Sequence, residues 1–128
     1  MTYGNKIIIL LICLFTFFIV GCEKEENWSF ELYDSYQIRS YEGKTKLYKE
    51  NNLVSISNLD YQITSFKYNS DVVCLKLSNE TYYMIYYVDS SIYGPFDLES
   101  LNQSTNTLSM TFETDFKELS KIEGKIYE

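Results

Sequence analysis

Punctuation is what most constrains the fold of this chain. From Trp28 onwards it is cut into short runs rich in tyrosine, phenylalanine and β-branched residues: "WSFELY", "YQIRSY", "KTKLYK", "LVSIS", "YQITSFKY", "DVVCLKLS" and "TYYMIYYVD". Several alternate apolar with polar side chains, as a half-buried antiparallel strand does. Turn formers separate them: Asp34-Ser35, Glu42-Gly43, Asn51-Asn52, Asn58-Leu59-Asp60, Asn69-Ser70-Asp71, Ser78-Asn79 and Asp89-Ser90-Ser91. A spacing of about ten residues per unit predicts a meander of hairpins. The expected fold is mainly β with minor α, one small antiparallel β-sheet domain carrying one or two short helices.

The hairpin around Asn79 is the clearest. Val73, Leu75 and Leu77 fall on one face of its first strand. In the second strand Tyr83, Ile85 and Tyr87 share one face, and Met84, Tyr86 and Val88 the other. Apolar on both faces, that strand is expected at the centre of the sheet, covered by a helix or a second layer. In "IYGPFDLESL", Gly94 permits a positive φ, Pro95 discourages helix before it, and Asp97 stands as an N-cap. Phe96 and Leu101 are spaced for a hydrophobic staple, so a short helix is expected from Leu98 to about Gln103. "TLSMTF" reads as a further strand. A second helix is expected over Phe116–Glu123, with Asp115 and Glu118 as a capping box and Gly124 as its stop.

Ahead of this region, Ile7 to Val20 reads "IIILLICLFTFFIV", fourteen residues broken only by Thr16 and preceded by Lys6. At ~1.5 Å rise per residue a helix needs about 20 apolar residues to cross a bilayer. The run is too short to span, and it has the parts of a secretory signal. Ile19-Val20-Gly21-Cys22 resembles the lipobox of bacterial lipoproteins. The resemblance implies cleavage between Gly21 and Cys22, diacylglycerol on the Cys22 thiol, and an acylated new amino terminus. Several acyl chains matter because each buried methylene contributes ~0.8 kcal/mol and one chain holds only marginally. Glu23, Lys24, Glu25 and Glu26 then form either a solvated tether or a cluster resembling the export signal that sends some lipoproteins to the outer face of the outer membrane. The expected division is residues 1–21 signal peptide, 22–27 lipidated cysteine and tether, and 28–128 a single β-rich domain, placed at the outer membrane and facing either surface or periplasm.

Cleavage leaves 107 residues with 10 basic against 18 acidic side chains, a net charge of about −8. Nucleic acid, which demands a basic footprint, is a poor partner; a cationic protein suits the charge. Cys13 leaves with the signal and Cys22 carries lipid, so Cys74 is the one thiol left to the folded part, and no internal disulfide is expected. Within "DVVCLKL" it reads as a small buried hydrophobe. The chain has no histidine, which removes the usual general base, the commonest zinc ligand and every Ser-His or Cys-His dyad. Asp34, Asp60, Asp71 and Asp89 sit in turns, where capping explains them, and no calcium-loop pattern occurs. No catalytic residue, metal ligand or cofactor is assigned.

"FELYDSYQIRSY", "YQITSFKYNSDVVCLKL" and "YYMIYYVDSSIYGPFDLESL" together resemble a family of small bacterial lipoproteins of unknown function, with Tyr93-Gly94-Pro95-Phe96 as the sharpest element. The resemblance covers residues 28–103 and implies no activity. Thirteen tyrosines remain the compositional anomaly. Tyr82, Tyr83, Tyr86 and Tyr87 alternate in pairs, either packing across strands or presenting an aromatic contact surface through Tyr83 and Tyr87. The expected function is a non-enzymatic binding or immunity-type lipoprotein engaging a protein partner. The alternative is a surface glycan-binding accessory built on those tyrosines.

Overall fold

A computed structural model of the chain describes residues 26–128. The signal segment, Gly21, Cys22, Glu23, Lys24 and Glu25 lie outside the described residues; Glu26 is the first of these and is exposed. The protein is mainly β. Its strands are β1 (Trp28–Glu31), β2 (Tyr36–Tyr41), β3 (Lys44–Lys49), β4 (Asn52–Leu53), β5 (Ile63–Tyr68), β6 (Val72–Leu77), β7 (Tyr82–Tyr86), β8 (Ile92–Phe96), β9 (Lys117–Glu118) and β10 (Ile126–Tyr127). One helix, α1 (Leu98–Thr107), follows β8. Among the described residues no helix is long and apolar enough to cross a membrane.

The strands form two five-stranded antiparallel sheets, ordered β10-β1-β2-β3-β4 and β8-β7-β6-β5-β9. The meander is therefore split between two layers. The hairpin turns take the left-handed conformations their residues suit: φ is 53° and 66° at Asp34 and Ser35, and 51° and 77° at Glu42 and Gly43. β6 and β7 pair with Leu75 opposite Tyr83 and Cys74 opposite Met84, which sorts their side chains onto two faces. One face packs on the first sheet, joining Val73, Leu75, Leu77, Tyr83, Ile85 and Tyr87 to Phe30, Tyr36, Ile38 and Leu47. A register shift between Ile63 and Ser65 lets both Ile63 and Phe66 join this core.

The other face of the second sheet is covered by α1. Val72, Cys74, Tyr82 and Met84 form an outer cluster with Leu101 of the helix, against which Phe96, Met110, Phe112 and Phe116 pack. The Asp97 carboxylate accepts the Ser100 N–H at 2.7 Å, and Phe96 and Leu101 meet in the same cluster as a staple does. The helix runs beyond Gln103 to Thr107. Without the helix, the apolar face that β6 and β7 present through Val72, Cys74, Tyr82 and Met84 would lie bare; burial of that face holds the helix in place.

Three expectations are corrected. Phe116–Glu123 is not a helix: Lys117–Glu118 pairs with β5, and only Leu119–Lys121 forms a 3₁₀ turn. Phe116 packs in the outer cluster while Leu119 and Ile122 pack in the core between the sheets, a division that one helical face cannot serve. Asp115 accepts the N–H of its neighbour Phe116 at 2.8 Å instead of forming a capping box. "TLSMTF" is not a strand, because its first residues close the helix end: Leu108, Ser109 and Met110 donate their N–H groups to Ser104, Asn106 and Thr105 carbonyls. Tyr83 and Tyr87 are no contact surface, being 2% and 1% exposed within the core between the sheets.

Candidate functional site

Two grooves lie at opposite ends of the strands. The turn that leads into β2 and the turn that follows β5 border one; the far ends of the same strands border the other. The first, of about 820 Å³, is lined by Asp34, by Asn69, Ser70 and Asp71, by Tyr86, Tyr87 and Val88, and by the segment from Leu108 to Glu113. Its walls are tied together by Asn69. That side chain accepts the N–H groups of Asp71 and Val72, each at 2.8 Å, and donates to the Thr111 carbonyl at 2.9 Å. The Tyr87 N–H donates to the Asp71 carbonyl, and the Glu113 N–H to the Tyr68 carbonyl.

Every charged side chain lining this groove is acidic: Asp34, Asp71 and Glu113. None of the three enters an ion pair among the described residues. Their field reaches three tyrosines. Burial foremost pushes the Tyr87 hydroxyl above the ordinary phenol range, and Asp34 adds to the shift. Tyr68 is raised by burial and then by Glu113, and Tyr86 by burial with Asp71 among the further contributors. The Tyr87 hydroxyl is buried without a hydrogen-bond partner among the described residues. Val88, at the rim, is 84% exposed, an apolar side chain set beside the carboxylates.

Sequence spacing places Asp34 and Asp71 in separate turns and says nothing of Glu113. The structure brings all three to one concavity, because the turns after β1 and after β5 share a pole. A register count along alternating hairpins would have put Asp34 and Asp71 at the same end; Glu113 lacks any such signal. The other turn aspartates serve local structure. Asp89 accepts the Ser91 N–H at 3.0 Å, and Asp60 pairs with Lys46 at 2.6 Å, which holds its carboxyl below the usual range.

Cys74 lies in the outer cluster, fully buried, with its thiol pushed up to about 12 by burial. A thiol so protonated is no nucleophile at neutral pH. Beside it in the register, Lys67 is buried with its ammonium 4.5 Å and 4.9 Å from the ring centres of Phe112 and Phe116. This lysine pins the segment after α1 to the sheet. Among the described residues no group of three or more carboxylates and cysteines is placed to hold a metal ion.

Compared with known proteins, the chain matches no family model, no curated sequence and no solved structure.

Proposed function

We propose that this chain is a lipid-anchored cell-envelope protein whose folded part is a non-enzymatic binding module for a cationic protein partner. The observation that carries the reading is the groove lined by Asp34, Asp71 and Glu113, with no basic side chain among the described residues of its lining. Carboxylates that form no ion pair among the described residues, next to apolar Tyr86, Val88 and Phe112, suit a partner segment that alternates basic and apolar side chains. The place of the groove supports this. The chain enters the fold at Trp28, at the start of β1, whereas Asp34 follows the end of that strand. If Cys22 carries lipid, as its lipobox setting implies, the acidic groove faces away from the membrane and towards arriving molecules.

An immunity-type role is the concrete version. A net charge of about −8 after cleavage speeds the approach of a cationic toxin, and the groove then holds it. Expression in a toxin-sensitive strain should protect it. The triple variant Asp34→Asn, Asp71→Asn, Glu113→Gln should lose that protection while keeping the wild-type circular dichroism. Equal protection by the variant, or none by the parent against any cationic envelope toxin, would remove this reading.

A further inference from the structure

The groove at the opposite pole has a different chemistry. It measures about 1060 Å³, near the upper end of small-molecule sites. Sheet register sets a cross-strand row along its wall: Tyr127 opposite Trp28, Trp28 opposite Ser40, and Ser40 opposite Thr45. Ser40 and Thr45 continue the inward positions of Ile38 and Leu47, so hydroxyls stand at the groove end of a face that those two residues make apolar. They are 7% and 5% exposed, and neither hydroxyl enters a hydrogen bond among the described residues. Gln62 stands beside them. Its side-chain oxygen accepts the Thr45 N–H at 2.9 Å, which fixes the amide and leaves its NH₂ group to donate elsewhere.

Charge narrows the ligand. Among the described residues the lining contains one acid, Glu26, and one base, Lys125, whose ammonium lies 4.7 Å from the centre of the Trp28 ring. An anionic or cationic ligand gains nothing from such a balance. Neutral hydroxyls and an amide beside aromatic rings match a ligand with many hydroxyls and apolar C–H faces. Among the described residues the lining holds a single carboxylate, not the acid pair that glycoside hydrolysis uses. We infer that this groove is a binding seat for a neutral oligosaccharide, hydrogen-bonded by Ser40, Thr45 and Gln62 and flanked by Trp28 and Tyr127. It shares no residue with the acidic groove, so either site can fail alone.

The chain carries its own reporter, since Trp28 is its single tryptophan. The full chain in detergent micelles is titrated with neutral di- to tetrasaccharides of hexose and N-acetylhexosamine units, and Trp28 emission is followed. A saturable shift is expected for at least one of them. Thr45→Val should weaken it at least tenfold, and so should Tyr127→Ala, which removes a 56% exposed ring and spares the core. Asp71→Asn should leave it unchanged. A parallel titration with vesicles bearing a neutral glycolipid separates the two sources: binding there alone identifies a lipid headgroup, binding to soluble sugar a free glycan. No response to any neutral saccharide in either arm, a response confined to charged sugars, or binding that survives both variants overturns the assignment.

Discussion

Gly94 lies so close to Tyr83 that a Cβ placed on it would sit 2.7 Å from the tyrosine ring and 2.7 Å from the Tyr82 carbonyl oxygen. Its φ of 141° is a conformation that side chains other than glycine rarely adopt. Tyr83 is held in the core, and the carbonyl belongs to β7, so neither neighbour can step aside. Gly94→Ala should cost about 3 kcal/mol, combining backbone strain with overpacking. Urea unfolding should show a lower midpoint at unchanged slope. A variant as stable as the parent would mean that β8 does not lie against β7 here.

Tyr87→Phe should do the reverse. The Tyr87 hydroxyl is buried without a partner among the described residues, while its ring packs on Tyr36 at 5.3 Å and Tyr33 at 6.0 Å. Phenylalanine keeps the ring and removes the desolvated oxygen. Stability should rise by about 1 kcal/mol. A loss of similar size would show that the hydroxyl has an acceptor.

The cap of α1 gives an acid-side prediction. The Ser100 N–H bound to Asp97 lowers the carboxyl pKa below its ordinary value of 3.8. A depressed folded pKa contributes stability that is full above the unfolded value and is lost as pH falls through the folded one. The gap in unfolding midpoint between the parent and Asp97→Ala should thus be constant near neutrality and close below about pH 4. A gap that persists at pH 2 would leave the carboxylate without a capping role.

Cys74 gives the alkaline counterpart. Burial raises its thiol from an ordinary 9.0 to about 12, so the folded state favours the protonated form. That contribution is full below the unfolded pKa and is lost as pH rises from about 9 towards 12. At pH 8 a thiol reagent should modify Cys74 only as fast as the protein unfolds, and urea should accelerate the reaction sharply. Immediate labelling of the folded protein would contradict the packing of the outer cluster.

Local rules were enough for much of the fold. The alternation in "DVVCLKLS" and "TYYMIYYVD" predicts the two faces of β6 and β7, and Asp97 announces the helix it caps. What escaped depends on distance. Nothing near Leu53 tells that the meander passes to a second sheet, since that follows from which faces must bury each other. In "IYGPF" glycine and proline speak against regular structure ahead of the helix, yet both are tolerated in an outermost strand, and β8 is one. Phe116, Leu119 and Ile122 keep a helical spacing, but they feed two different cores. The tyrosine pairs were legible as two-faced; their burial required knowing that a whole sheet covers Tyr83 and Tyr87. Alternating hairpins put Asp34 and Asp71 at one end, but the rest of both grooves has no local signal, each being assembled from segments that only the pairing of strands brings together.

The outermost strands of both sheets share one trait. β4, β9 and β10 are two residues long, and β8 is interrupted by Gly94 and by Pro95, which has no N–H to offer. Open rows of backbone donors and acceptors are what let β proteins zip together side by side. Among the described residues such open rows are short, so copies of this molecule can lie side by side at high density without polymerising.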